Sequence, residues 1–387
     1  MSAAADSVPF ADNTLGDEEI AAVGLVLRSR WLSAGPVTAA FEDEFAAALG
    51  VPQAVAVSSG TAALHLAVLA LDLQPGDEVI MPSLSFVAGA AVVALHGGQP
   101  VFADSCSADD LTVDPAEVTA KITGRTRAIV AMHYGGFAAD VGTLRDVARR
   151  AGIALIEDAA HAPVVRHQAG MLGTVGDIGC FSFFATKNLT TGEGGMVVAR
   201  DNELLARIRA MRSHCTTAST WLRHQSGTSG YDVTGLGLNY RPSEITGALG
   251  RIQLGKLTGD RMRRTQIAAR YRFGLAEVAG LRLPFLARDE DAAHHLFVIL
   301  LPAAVPRADF MSRLRAHGVP TSVHYPPTHL LSYYRDRFPS SAPLPVLASV
   351  TDRLVSLPMH ARLTADQVDR VIEATVQTVS DLASGRS

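Results

Sequence analysis

Lysine is nearly absent from this chain. Of its 34 lysines and arginines only Lys121, Lys187 and Lys256 are lysines, so any chemistry that needs a side-chain amine has three candidates. Cysteine is equally scarce: Cys106, Cys180 and Cys215 lack short metal-type spacing, and their odd number argues against a disulfide framework. We therefore expect no bound metal and a cytoplasmic setting. No apolar run approaches the roughly 20 residues of a membrane-spanning helix, so no membrane is expected as a partner. An excess of positive charge is also missing. The formal net charge is -4 and the sequence pI about 6.3, which leaves no electrostatic footprint for nucleic acid. Met1 to Asp6 are small and polar, without the basic-then-apolar layout of a secretory signal.

What is present is a globular composition, 48% hydrophobic and 19% charged over 387 residues. That length is too great for one ordinary core and suggests a large domain plus a smaller one. Leu15 to Leu49 reads as helix interrupted at Ser33-Ala-Gly-Pro36. Short apolar strands are expected at Ala54–Val57, Glu78–Met81, Pro100–Ala103, Ala128–Met132, Ala154–Ile156, Cys180–Phe183 and Gly195–Val198. Helical patterns at Ala62–Leu71, Ala88–Leu95 and Val141–Ala151 separate them. This alternation argues for an α/β domain with a mainly parallel sheet. The tail differs, with a helix over Lys256–Ala279, a strand at His295–Leu301, and helices at Arg307–His317 and Leu363–Leu382. We read residues 1–259 as the large domain and 260–387 as a smaller α+β domain.

Three segments carry candidate chemistry. Phe181-Ser-Phe-Phe-Ala-Thr-Lys187 leads from an apolar strand into a run containing Gly192, Gly194 and Gly195. A lysine that forms a Schiff base must sit where its amine can become neutral and where backbone can approach a flat ring and a phosphate. Alone, it reads rather as a surface lysine in a loop, the usual place of a lysine. Ala154-Leu-Ile-Glu-Asp158 is an apolar strand ending in a carboxylate, at the end of the element where open α/β sheets bind ligands. A buried carboxylate there could keep a pyridine nitrogen protonated, although a helix N-cap is as good an explanation of Asp158 in isolation. Ser59-Gly60-Thr61-Ala62 is a strand–glycine–helix junction, a cradle for phosphate or simply a capped turn. A lysine, a carboxylate and an anion cradle in one α/β domain are much harder to explain as coincidence.

With these segments the sequence resembles the DegT/StrS family of sugar aminotransferases, of the aspartate-aminotransferase superfamily (fold type I). The resemblance extends over Trp31-Leu-Ser-Ala-Gly35-Pro36, Ser59 to His65, Pro75 to Val79, Pro82 to Phe86, Glu157 to Ala162, the Lys187 segment, Leu238-Asn-Tyr-Arg241 and Val323-His-Tyr-Pro326. It implies a seven-stranded sheet and pyridoxal 5'-phosphate as cofactor. Lys187 would hold that cofactor as a Schiff base and shuttle protons, with Asp158 the partner of its ring nitrogen. Phe86 would stack on the ring, and His161 would lie by its phenolic oxygen. Gly60, Thr61, Ala62 and Ser182 would hold the phosphate. Asn239 would reach the phosphate of a neighbouring subunit, implying a homodimer with shared sites. Gly35, Pro36, Arg241, His324 and Tyr325 would lie near substrate. On composition alone Phe86 reads more readily as plain core, His161 reads equally as a helix-start histidine, and a turn residue and packing are open alternatives for Asn239 and Tyr325. Ser85, Gly89 to Val93, Ser105-Cys106 and Cys215-Thr216 depart from the family pattern. None removes a cofactor contact, and all could alter the substrate pocket.

The implied reaction is a two-half transfer from glutamate or glutamine to a keto sugar, most simply a nucleotide-linked keto-hexose; a keto-cyclitol is the alternative acceptor. A dehydratase of the same family typically has histidine in place of Lys187. A B6-binding regulatory protein without turnover would share the cofactor site. A nicotinamide-binding domain fits least, because Gly173-x-x-Gly176-x-x-Gly179 has the wrong spacing and does not open a helix after a strand.

Overall fold

The apolar runs become strands of one sheet because each is too short to be a helix and is followed by a helix that can cover it. In the computed structural model, which describes residues 7–218, 221, 224–225, 230–288, 292–340 and 342–385, that sheet has seven strands. They are β1 (Val55–Val57), β2 (Glu78–Pro82), β3 (Gln99–Ala103), β4 (Thr126–Met132), β5 (Ala154–Asp158), β8 (Ile178–Ser182) and β9 (Gly195–Ala199). Two residues each at Arg166–His167 (β6) and Gly170–Met171 (β7) form a separate small hairpin. The sheet order is β1-β9-β8-β5-β4-β2-β3, and only β9 runs against its neighbours. Strands β1, β2 and β9 are buried at every residue, as expected of a mainly parallel sheet covered on both faces.

Helix α3 (Gly60–Ala70), which follows α1 (Asp17–Ser29) and α2 (Pro36–Leu49), is buried along most of its length and packs on β8 and β9, whereas α6 (Val141–Ala151), which follows α4 (Ala88–Leu95) and α5 (Pro115–Ala120), is amphipathic and covers β4 and β5. The longest helix departs from the sequence reading. It runs from Glu244 to Leu275 rather than from Lys256 to Ala279. Gly247 and Gly250 make its first turns look non-helical, but both are packing residues. A Cβ on Gly247 would come within 2.8 Å of the Thr38 backbone, and one on Gly250 within 2.4 Å of the Phe41 ring. The glycines let this helix lie against α2 (Pro36–Leu49), so tertiary contact outweighs their low helix propensity.

A second apolar core gathers around the antiparallel pair β10 (Phe297–Leu300) and β11 (Leu354–Leu357), flanked by the helices Arg307–Ala316 and Ala365–Ala383. Val8, near the start of the chain, is buried in this core, and its N–H donates to the Gly318 carbonyl.

Neighbouring residues of β5 point to opposite faces, so Asp158 and Glu157 meet different surroundings. The Glu157 carboxylate is fully buried. It accepts N–H groups from Gly173, Val175 and Gly176 at 2.6 to 2.8 Å and lies 3.0 Å from His133 Nε2. The Gly173–Gly176 stretch is thus a backbone cage for a carboxylate. Burial alone would raise the Glu157 pKa; the bond to His133 and the backbone donors outweigh it and leave the pKa lowered. A lowered pKa stabilises the fold above the ordinary glutamate range and loses that contribution as pH falls below it. Glu157→Gln should cost about 2–4 kcal/mol in urea unfolding at pH 7. The gap between parent and variant should narrow in acid; a gap independent of pH would contradict this role.

Candidate active site

At the carboxyl end of the sheet the chain leaves a cavity of about 460 Å³. Its walls come from strand ends and the loops that follow them, the usual ligand position in an open α/β sheet. Asp158 closes β5, Ser182 closes β8, and Gly60 and Thr61 open α3. Lys187 stands in the loop after β8 with its N–H on the Phe184 carbonyl, and Phe86 follows β2. His295, His324 and Tyr325 enter from the part of the chain that carries β10.

The Lys187 residue is partly exposed, but its ammonium end is packed deeply enough that desolvation dominates. Burial lowers its pKa to about 8, and the attraction of Asp158 opposes the fall. Burial raises the pKa of Asp158, moderated by the Ala160 N–H at 3.1 Å and by the charge of Lys187. An amine with a neutral fraction at moderate pH thus faces a carboxylate in a dry wall, which is what amine–carbonyl chemistry needs.

The junction after β1 is a cradle. Ser59 caps α3, its Oγ accepting the Ala62 N–H at 3.0 Å. Gly60 and Thr61 are the first two residues of that helix, where amides have no intrahelical partner. A Cβ on Gly60 would come within 2.7 Å of Ser182 Cβ, so glycine lets the helix start press against the end of β8. The result is a positive helix end beside a hydroxyl, a combination suited to phosphate. Phe86 is 55% exposed, so it is not core, and its ring stands on the cavity wall 5.8 Å from that of Tyr325. The donors fit pyridoxal phosphate: an amine for the aldehyde, a carboxylate for the ring nitrogen, an aromatic face, and a helix N-terminus with Ser182 for the phosphate.

Of the residues singled out in the sequence, Gly60, Thr61, Phe86, Asp158, His161, Ser182, Lys187, His324 and Tyr325 line this cavity. Ala62 sits one residue deeper and is buried. Gly35 and Pro36 do not line it. They form the start of α2, where the Glu244 carboxylate accepts the N–H groups of Gly35, Val37 and Thr38 at 2.8 to 2.9 Å. Asn239 and Arg241 are also outside its walls: Asn239 pairs with Ser213, and Arg241 Nη1 donates to Ser213 Oγ at 2.9 Å.

The sequence reading missed His295. Its ring lies 4.2 Å from that of His161, and its Nδ1 is 2.9 Å from Asn188 Oδ1. Asn188 Nδ2 in turn donates to the Ala293 carbonyl, so Oδ1 is left to accept and His295 Nδ1 must donate. Burial lowers the His295 pKa well below the usual histidine value, leaving a neutral ring whose Nε2 has a free lone pair. The only sequence hint was a histidine pair, His294-His295, just before β10.

A reagent directed at neutral amines should modify Lys187 of the ligand-free protein with a rate that reaches half its plateau near pH 8. Asp158→Asn should move that midpoint lower, since the carboxylate favours the ammonium form. Peptide mapping after labelling reads both, and a midpoint near the ordinary lysine value would refute the burial argument.

The chain matches the model of the DegT/DnrJ/EryC1/StrS aminotransferase family over residues 13–376. It is 39% identical to the spore coat polysaccharide biosynthesis protein SpsC of Bacillus subtilis (strain 168), over 98% of this chain and 97% of that one. Among solved structures it is similar to the aminotransferase TlmJ from Streptoalloteichus hindustanus, at 35% identity and a TM-score of 0.90, covering 97% of this chain and 100% of TlmJ. It is also similar to the sugar aminotransferase CalS13 from Micromonospora echinospora, at 32% identity and a TM-score of 0.86, covering 96% and 99%. Structures of similar chains include pyridoxal-phosphate and pyridoxamine-phosphate forms. With its cavity, its buried amine and its match over nearly the whole length, the chain belongs to the DegT/DnrJ/EryC1/StrS family and is a pyridoxal-phosphate-dependent sugar aminotransferase.

Proposed function

We propose that this enzyme moves an amino group from glutamate or glutamine to the ketone of a nucleotide-linked keto-hexose, in the making of a cell-surface or secondary-metabolite sugar. The observation that carries the chemistry is the Lys187 amine, held near neutrality beside the buried Asp158. The sugar class is supported by the likeness to a polysaccharide biosynthesis protein and to a sugar aminotransferase.

Bound pyridoxal phosphate supplies an aldehyde that condenses with amines and a cationic ring that accepts an electron pair from the adjoining carbon. Lys187 Nζ would anchor the cofactor through its aldehyde and, as a free amine, would hold and pass a proton at the reacting carbon. Its low pKa leaves Nζ able to take that proton. Asp158 would keep the ring nitrogen protonated, Phe86 would lie against the ring, and Gly60, Thr61, Ala62 and Ser182 would hold the phosphate. His324 and Tyr325 contact the substrate.

Asn239 reaches the phosphate of a neighbouring subunit in this reading, and Gly35, Pro36 and Arg241 lie near substrate. That reading implies a homodimer with shared sites, and the place of Asn239 outside the walls of its own chain's cavity is compatible with it. We place the enzyme in the cytoplasm, a setting supported by the free thiols of Cys106, Cys180 and Cys215. We divide the chain near residue 260, within the helix Glu244–Leu275, into a cofactor-binding part and a smaller part that lends His295, His324 and Tyr325 to the cavity.

The holoenzyme should be yellow and should bleach when glutamate or glutamine is added; colour without bleaching would mean a cofactor-binding protein without turnover. Lys187→Ala should lose on the order of 10³-fold or more in turnover. Offered a panel of keto-sugar nucleotides and keto-inositols, the parent should yield an aminated sugar nucleotide by mass and NMR. Amination of the inositols alone would overturn the assignment of the acceptor.

A further inference from the structure

His161 has two ring nitrogens, and both are engaged. The Gly135 N–H donates to Nδ1 at 3.2 Å. A backbone amide can only donate, so Nδ1 carries no proton. Burial holds the His161 pKa well below the usual histidine value, so the ring is neutral and its single proton sits on Nε2. That nitrogen lies 3.1 Å from the Tyr325 hydroxyl. The direction of the bond follows: Nε2–H donates and the Tyr325 oxygen accepts. The phenol's own proton therefore points elsewhere. Burial, reinforced by the charge of Asp158, raises the Tyr325 pKa and keeps that proton in place.

The remaining surroundings of Tyr325 offer the proton no acceptor among the described residues. Phe86 presents a tilted ring, and no hydrogen bond joins Tyr325 to Asp158, Lys187 or Tyr134. The phenol is also fixed from its backbone. The Tyr134 hydroxyl donates to the His324 carbonyl, and His324 Nδ1 lies 3.0 Å from Ser356 Oγ. Gly135, which sets the tautomer, sits in a tight turn with φ of +64° whose carbonyl accepts the His295 N–H at 2.9 Å. A rigid turn therefore orients His161, and His161 orients Tyr325.

We propose that Tyr325 is a built-in hydrogen-bond donor of the Lys187 cavity, aimed at an acceptor oxygen of its occupant, and that His161 is the positioning residue that turns its proton inward. The inference rests on the reading of this cavity as the cofactor and substrate site. The acceptor is an anionic oxygen, and two sources share that chemistry: the phenolic oxygen of the cofactor and the carboxylate of the amino donor.

Tyr325→Phe removes one oxygen and keeps the ring beside Phe86. The parent and the variant are loaded with pyridoxal phosphate at one fixed pH, their absorption spectra compared, and each is titrated with glutamate and with glutamine. A changed spectrum without donor identifies the cofactor's phenolic oxygen as the acceptor. An unchanged spectrum with a rise of roughly five- to tenfold in the donor's apparent Kd identifies the carboxylate. Neither change, in a variant that still takes up cofactor, overturns the proposal. His161→Gln can accept from Gly135 through Oε1 and donate to Tyr325 through Nε2, so it should keep the parent's behaviour, while His161→Leu should reproduce that of Tyr325→Phe. This second pair decides the matter if Tyr325→Phe does not fold, and equal behaviour of the Gln and Leu variants would refute the role of His161. Should borohydride trapping of the loaded parent place no label on Lys187, the reading of the cavity falls first and the proposal with it; a Lys187 label with no effect of either substitution sinks the proposal alone.

Discussion

The active site depends on placing an amine and a carboxylate together where water does not screen them. Lys187 and Asp158 lie in the same cavity wall, and burial pushes both toward their neutral forms while each charge favours that of the other. This balance leaves the amine able to act near pH 8 and the carboxylate available to a cationic ring. It requires a rigid frame, because a small shift of either group toward solvent would restore ordinary pKa values. The frame is the central parallel sheet: β5 delivers Asp158, and the turn after β8 delivers Lys187.

The frame has its own buried charge. Glu157, one residue before Asp158, turns to the opposite face of β5 and closes a cage of three backbone amides and His133. Two adjacent carboxylates thus divide the work. One is fully satisfied and organises the backbone around Gly173 to Gly176; the other is left underused by the protein and open to a ligand. The difference follows from strand alternation and the packing on each face.

Much of this was legible in the sequence. The alternation of apolar runs with helical patterns gave the sheet and its flanking helices, with helices Ala88–Leu95 and Val141–Ala151 found at their observed bounds. The Lys187, Asp158 and Gly60 segments announced themselves because amine, carboxylate and helix start are each local features. The beginning of the long helix was hidden, since glycines that serve close packing against Thr38 and Phe41 look like helix breakers in one dimension. Strand Leu354–Leu357 was hidden too, because four residues carry too little periodicity to be read without their partner strand.

The sequence by itself determined which chemistry is available: three lysines in the whole chain, one of them between an apolar strand and a glycine run, and a strand that ends in a carboxylate. Only the tertiary structure decided how the aromatic and imidazole groups are used. Phe86 reads as core yet faces a cavity, His295 arrives from more than a hundred residues away to lie against His161, and the helix start at Gly35 and Pro36 is held outside the cavity by Glu244, which accepts the N–H groups of Gly35, Val37 and Thr38. The reason is physical. A residue's chemical type is fixed by its side chain, but its exposure, tautomer and pKa depend on neighbours that are distant in sequence and close in space.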